Sequence, residues 1–226
     1  MPSTRTKKLH EAVDKEKVYP VEEAIALCKS TATAKFDESI ELHVRLGIDT
    51  QKSDQQVRGT ISLPHGVGKT KRVAAFVDAD KEAEAKEAGA DIVGGEQLID
   101  KIAKSGNLDF DVAVATPTMM PKIAKLARIL GPRGLMPNPK TETVSPNVKK
   151  MVEEQKAGKE SFRNDATGNI HQTFGRASFS EQQLKENLTA LLDMIKKMKP
   201  ASSKGIYIKS ATICSTMGPG IKIEIV

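Results

Sequence analysis

Residues 39–46 read Ser39-Ile40-Glu41-Leu42-His43-Val44-Arg45-Leu46. Ile40, Leu42, Val44 and Leu46 alternate with Ser39, Glu41, His43 and Arg45, the period of two that belongs to a strand. One face is wholly apolar and has to cover a core. The other is wholly polar and is free to meet solvent or a partner. Upstream, Val21, Ala24, Ile25 and Cys28 fall at i, i+3, i+4 and i+7, so a helix with one buried side precedes the strand. Earlier still, Leu9, Ala12 and Val13 share a face of a first helix that breaks at Tyr19-Pro20. Downstream, a further strand runs through Val57, Ile61 and Leu63.

The pattern changes at Leu63-Pro64-His65-Gly66-Val67-Gly68-Lys69, where one Pro and two Gly mark a domain boundary. A strand–helix rhythm follows. Val73-Ala74-Ala75-Phe76-Val77, Asp91-Ile92-Val93 and Val112-Ala113-Val114-Ala115 read as strands. Between and after them lie helices: 81–88, capped by Asp80 and ended by Gly89; one marked by Leu98, Ile99, Ile102 and Ala103; and one marked by Ile123, Ala127 and Leu130. Continuous apolar strands alternating with amphipathic helices predict parallel βαβ units in a small three-layer α/β, Rossmann-like domain. A Pro/Gly-rich loop covers 131–140. Ser145 then caps a helix whose first residue is Pro146 and which ends near Ala157-Gly158.

The last third returns to an antiparallel style. Asn164-Asp165 to Gly168-Asn169 reads as the turn of a hairpin. Ser180 and Gln183 form a capping box before Leu184, Leu188, Leu191, Leu192 and Ile195, with Pro200 closing that helix. Strands follow at 206–213 and 221–225. Residues 1–66 and 159–226 share one α+β style, and neither has enough strands for a sheet alone. They are therefore expected to form one discontinuous α+β domain, an antiparallel sheet with packed helices, with the α/β domain 67–158 inserted. Two chain crossings, at Gly66 to Gly68 and near Gly158, would then make a hinge that permits opening and closing only.

Composition narrows the function. The 226 residues are 38% hydrophobic and 28% charged, which excludes a collagen-like or disordered chain. No apolar run approaches the roughly 18–20 residues of a bilayer span, and the first residues lack the apolar stretch of a secretory signal. Cys28 and Cys214, both among apolar residues, are expected to be buried thiols in a reducing cytoplasm. The net charge is +6, distributed as 0 over 1–66, +2 over 67–158 and +4 over 159–226. A basic balance suggests a polyanion partner. Aromatic residues are only 4%, with no Trp, so stacking platforms for unpaired bases are scarce. A nucleic acid would be read through its backbone, 2′-hydroxyls and shape.

Catalytic and metal motifs fail on spacing. Gly66-Val67-Gly68-Lys69-Thr70 resembles part of a phosphate loop, but Leu63 stands where the first glycine belongs and a strand follows. Lys71 occupies the third glycine position of a dinucleotide fingerprint. His10, His43, His65 and His171 are scattered and no pair has ligand spacing, so neither metal nor cofactor is expected. Asp109 and Asp111 flank a strand entry, where solvated acids are commoner than an acid/base pair. No nucleophile has an elbow or a neighbouring base, so the chain is not expected to be an enzyme. The acid-free run 112–141 carries Lys122, Lys125, Arg128, Arg133 and Lys140, either a solvated face or a second electropositive surface. The turn Thr216-Met217-Gly218-Pro219-Gly220 explains its glycines as a turn, but not its methionine tip or the hydroxyls over 212–216.

Several longer stretches carry a resemblance. They are Thr33-Ala34-Lys35-Phe36-Asp37-Glu38, Leu46-Gly47-Ile48-Asp49, Val57-Arg58-Gly59-Thr60, Ser62-Leu63-Pro64-His65-Gly66 and Ala88-Gly89-Ala90-Asp91. To these add Gly131-Pro132-Arg133-Gly134-Leu135-Met136-Pro137-Asn138-Pro139-Lys140, Phe162-Arg163-Asn164-Asp165 and Thr216-Met217-Gly218-Pro219. Over essentially its whole length the chain resembles the first-numbered proteins of the large ribosomal subunit, bacterial type.

That resemblance implies a two-domain protein on the cytoplasmic ribosome that binds large-subunit rRNA. It implies a mobile stalk beside the exit-site tRNA, help in releasing that deacylated tRNA, and repression of translation through the protein's own mRNA. The implied RNA surface falls on Lys35, Phe36, Ser39, Glu41, Arg163, His171, Arg176, Ser178, Ser210, Thr216, Met217 and Gly218. Lys35, Arg163 and Arg176 would neutralise phosphates. Thr216 and Ser210 would meet ribose or base edges, and Glu41 would accept from a 2′-hydroxyl or base amine. Met217 and Phe36 would pack on sugar or base, and Gly218 would let the backbone approach. A monomer when free, with no membrane partner, is expected. The alternative is a nucleotide- or small-molecule-binding α/β protein that uses the middle domain.

Overall fold

The computed structural model describes residues 4–14 and 16–224. In chain order the helices are α1 (Thr4–Glu11), α2 (Val21–Thr31), α3 (Glu82–Glu87), α4 (Glu96–Ser105), α5 (Met120–Ile123), α6 (Ala127–Leu130), α7 (Val148–Lys156) and α8 (Glu181–Lys197). The strands are β1 (Ser39–Leu46), β2 (Arg58–Ser62), β3 (Val73–Phe76), β4 (Ile92–Gly94), β5 (Val112–Ala115), β6 (Lys159–Arg163), β7 (Asn169–Arg176), β8 (Ile208–Ser215) and β9 (Ile221–Ile223). The chain divides into two compact units, residues 1–68 with 162–226, and residues 69–161.

In the first unit β1 is an interior strand. It pairs antiparallel with β7 on one side and with β8 on the other, and β9 extends the sheet to the order β7-β1-β8-β9. Ile40, Leu42, Val44 and Leu46 are all buried, while the intervening residues keep solvent access. Beneath the sheet, Ile25 and Cys28 of α2 and Leu184, Leu188, Leu191 and Ile195 of α8 belong to the same core cluster. Each such Leu or Ile contributes roughly 1.5–3 kcal/mol on burial. Ser180 and Gln183 close α8 with a full capping box. Inside α8, the buried Asn187 donates to the carbonyls of Gly66 and Phe174 and accepts from the His65 amide. It thereby ties the Pro64–Gly66 turn to the sheet. Gly68, at φ +72, could not carry a side chain, because a Cβ there would stand 2.8 Å from Arg176 Cγ and 3.0 Å from Phe179.

The second unit is a parallel sheet of order β4-β3-β5. Every residue of β3 is buried, because both faces are covered. Ala74, Phe76, Ala113 and Ala115 pack with Ile99, Ile102, Ile123, Leu126 and Leu130, whereas Val73, Ala75, Val77 and Val114 pack with Ala85, Val148, Met151 and Val152. The buried Lys159 side chain is ion-paired with Glu142 and Glu154 in this unit.

Several local expectations are corrected. Asp80 is not a cap: it lies within a 3-10 turn, Ala79–Lys81, and the flanking Asp78 carboxylate accepts instead from the Thr118 hydroxyl. Asn147, not Ser145, caps α7, accepting from the Lys150 amide. The helix expected around Ile123 to Leu130 is interrupted by a 3-10 turn at Ala124–Leu126. Ala12 and Val13 lie beyond the end of α1. The turn at 164–169 is real, but β6 and β7 do not pair with each other; β6 joins β2 in a two-stranded ribbon and β7 joins β1. The strand expected at 206–213 runs instead from Ile208 to Ser215, and Ile206 is exposed. Of the final strand, Ile225 lies outside the described residues.

Candidate nucleic-acid interface

The ladder registers align the outer face of the sheet into rows. Thr173, Glu41 and Cys214 lie across β7, β1 and β8; His171, His43 and Thr212 form the next row, and Asn169, Arg45 and Ser210 the third. Lys222 of β9 continues the second row beyond Thr212. Each ladder carries a register shift, between Ile40 and Glu41 on the β7 side and between Arg45 and Leu46 on the β8 side. Such irregularities locally bend a strand and re-aim its side chains.

At the Ser39 end of β1 two loops converge, 32–38 and 216–220. Their tips hold Phe36 and Met217, each 55% exposed. Glu38, only 1% exposed, joins them: its two carboxylate oxygens accept from the Ala34 amide at 2.8 Å and the Met217 amide at 2.9 Å. Burial opposes ionisation of Glu38, but these two amides, with Ser215 and Arg5, outweigh it and hold the carboxyl below its ordinary range. The Thr216 hydroxyl accepts from the Ser39 amide and donates to the Ser39 carbonyl, which leaves one lone pair for a ligand. A Cβ on Gly218 would stand 2.5 Å from Ser215 Oγ and 3.3 Å from Thr31 Oγ1. The glycine therefore has an internal packing reason, whatever approaches from outside.

The remaining sequence-predicted residues divide. Arg176 donates to the Asp37 carbonyl at 2.9 Å, and Ser178 donates to the Asp37 carboxylate through both its amide and its hydroxyl. Both thus border the Phe36 loop. Lys35 is exposed and has no ion-pair partner among the described residues. Arg163 is exposed at the end of β6, outside the four-stranded sheet. In the other unit, Lys122 is paired with Glu96 at 2.6 Å, whereas Arg128, Arg133 and Lys140 are exposed without ion pairs among the described residues.

Glu38 and Asp37 acquire positioning roles, and His43 joins His171, none of which the sequence reading assigned. Their only sequence signal is two acids at the entry of a strand and a histidine on its polar face. Cys28 is buried as expected, but Cys214 is only partly so, because it lies on the outer face of β8; burial, and then Glu41, still pushes its thiol up to about 11, which disfavours the thiolate. Among the described residues no cluster of three or more His, Cys, Asp or Glu is placed to hold a metal ion, and no helix is long and apolar enough to cross a membrane.

Residues 28–219, which contain the whole second unit, most of the first and the Phe36 and Met217 tips, match the model of the Ribosomal protein L1p/L10e family. The chain belongs to that family. It is 56% identical over 222 residues to the large ribosomal subunit protein uL1 of Methylobacillus flagellatus, covering 98% of this chain and 96% of that relative. The uL1 protein of Fervidobacterium nodosum is 52% identical over 223 residues, covering 99% of this chain and 95% of its own. That of Nocardioides sp. is 55% identical over 214 residues, covering 95% and 89%. As a family member the chain is a structural ribosomal protein and not an enzyme.

Proposed function

We propose that this chain binds large-subunit rRNA through the outer face of β7, β1 and β8 together with the Phe36 and Met217 loops. The observation that carries the reading is the Glu38 clamp. It spends a covered carboxylate on holding two apolar tips exposed at the edge of a polar, row-aligned sheet face. Exposed apolar tips beside hydroxyls and cations without ion pairs fit a ribose–phosphate surface. Phe36 and Met217 pack on sugar or base; Ser39, Ser210 and Thr216 meet hydroxyls; Lys35, Arg163 and Arg176 neutralise phosphates.

The discontinuous unit, 1–66 with 159–226, is the RNA-binding domain in this proposal, and 67–158 is an inserted three-layer α/β domain. Separate core clusters in the two units support that division. The chain's passages through Gly66 (φ 61), Gly68 (φ 72) and Gly158 (φ 95) are its hinge. On the cytoplasmic ribosome the protein forms a mobile stalk of the large subunit, assists release of exit-site tRNA, and represses its own mRNA through the same face. The relatives' name, large ribosomal subunit protein uL1, supports the subunit assignment. A nucleotide role for the α/β unit is disfavoured. The cleft of about 700 Å³ at the ends of β3 and β4 is lined by Asp78, Glu82 and Glu96 against Lys101 and Lys122, of which Lys122 is already paired with Glu96, so its charge balance does not favour a polyphosphate.

Gel-shift titration against nested large-subunit rRNA transcripts tests the reading. A short transcript should bind, and the Phe36→Ala, Met217→Ala pair should weaken it at unchanged unfolding midpoint. Three phosphate contacts predict a log–log salt slope of roughly −2 to −3. Equal affinity of the double variant, or binding to no transcript, refutes the assignment.

A further inference from the structure

His43 and His171 face each other at one register position of β1 and β7. Their Nδ1 atoms are 2.8 Å apart, and the rings meet edge to face with centroids 4.9 Å apart. Two ring nitrogens this close share a hydrogen bond, so one Nδ1 carries a proton and the other offers its lone pair. His43 Nε2 lies 3.1 Å from Cys214 Sγ, and His171 Nε2 lies 3.5 Å from an Asp165 carboxylate oxygen. The pair is reached from outside through His171, whose side chain is about half exposed.

The groups facing the pair come from every neighbouring strand. Glu41 and Arg45 flank His43 on β1, Thr173 and Asn169 flank His171 on β7, and Cys214 and Thr212 face it from β8. Asp165 lies in the turn before β7, and Lys222 of β9 stands beyond Thr212. Glu41, 3.9 Å from His43 Nε2, favours a charged ring. Burial first, and then His171, work against it and hold His43 below the ordinary imidazole value. His43 in the free protein is thus poised against taking up charge, and an anion laid over the neighbouring exposed ring works against that balance.

We propose that His43 and His171 form a phosphodiester-receiving site that takes up one proton from solvent as RNA docks. The inference rests on the RNA-binding reading above. One proton is the limit. The first goes to a ring nitrogen outside the bridge, leaving Nδ1–H···Nδ1 intact. A second would turn both Nδ1 atoms into donors and break the bridge. The half-exposed His171 then donates its Nε2–H to a phosphate oxygen in a charge-assisted bond, in competition with the Asp165 carboxylate that faces this nitrogen at 3.5 Å.

The test is calorimetry with the full chain and the shortest rRNA transcript that binds it, in two buffers of matched pH and different ionisation enthalpy. The wild type should take up close to one proton at about pH 6.5 and bind roughly five- to tenfold tighter there than at about pH 8. His43→Gln and His171→Gln should bind more weakly at the lower pH, lose most of that pH response and take up far less than one proton. Their unfolding midpoints report whether each has folded. Wild-type binding with no proton uptake, uptake above one, or the same uptake in both variants overturns this inference alone. Absence of RNA binding at either pH overturns it together with the reading beneath it.

Discussion

Replacing Glu38 by Gln exchanges one carboxylate oxygen for an NH2 group and removes a charge, with almost no change in volume. In the wild type both oxygens accept from backbone amides, of Ala34 at 2.8 Å and of Met217 at 2.9 Å. Hydrogen bonds to a charged acceptor contribute about 1.5–3 kcal/mol each. Gln keeps one of them as a neutral bond worth roughly 1 kcal/mol and turns a donor toward the other amide. Glu38 is covered but lies shallow, where solvent relaxation softens the charge, so the loss falls near the lower end, at about 2 kcal/mol. The core under β1 is untouched, so the cost lands first on the two loops. Hydrogen exchange at the Ala34 and Met217 amides should quicken by about thirtyfold, the equivalent of that energy at 1.4 kcal/mol per tenfold. RNA affinity should fall by about tenfold or more, because Met217 and Phe36 are no longer held in place. The two readouts together decide the matter. Wild-type exchange at both amides combined with wild-type RNA affinity would refute the clamp.

Other outcomes follow from the same contacts. Gly218→Ala forces a methyl to within 2.5 Å of Ser215 Oγ, costing about 1–3 kcal/mol by urea titration; Ser215→Ala on that background should return part of the loss. Asn187→Ala strands the His65 amide and the Gly66 and Phe174 carbonyls, for a loss of roughly 2–4 kcal/mol in the same assay. Acid should destabilise the protein. The carboxyls of Glu38, Asp91 and Glu142 are held below their ordinary values of 4.5, 3.8 and 4.5. Their contribution is therefore complete above about pH 5 and is lost as pH falls through the lowered values. A urea midpoint flat from about pH 5 down to about pH 2 would contradict that assignment.

The eight residues of β1 were legible because strict alternation has one structural solution, and α2 and α8 because their apolar residues keep a helical period. What lay across from β1 was not legible. Residues 164–169 look like a hairpin turn, and only the ladders show that the strands on either side leave for different partners. Caps were ambiguous where Ser145 and Asn147, or Asp78 and Asp80, both had the right chemistry two residues apart. On the candidate interface, the exposed Met217 tip was readable from its setting in a turn. Glu38 was not, because an acid before a strand ordinarily faces water and nothing local says that the Met217 amide, 179 residues away, will join that of Ala34 on it. Gly218 was read as room for a ligand, while the structure adds an inward reason in Ser215 and Thr31.

The interior position of β1 has a consequence for synthesis. Its two flanking strands begin at Asn169 and Ile208, so more than a hundred residues are translated between Leu46 and the first of its neighbours. At about 5–20 residues per second this leaves an apolar strand with two open edges for many seconds. A nascent chain that stalls before Ile208 lacks β8, β9 and the Met217 loop. Such a fragment cannot assemble the proposed RNA-binding face, so incorporation through that face would itself distinguish chains that carry β8 and the Met217 loop from those that lack them.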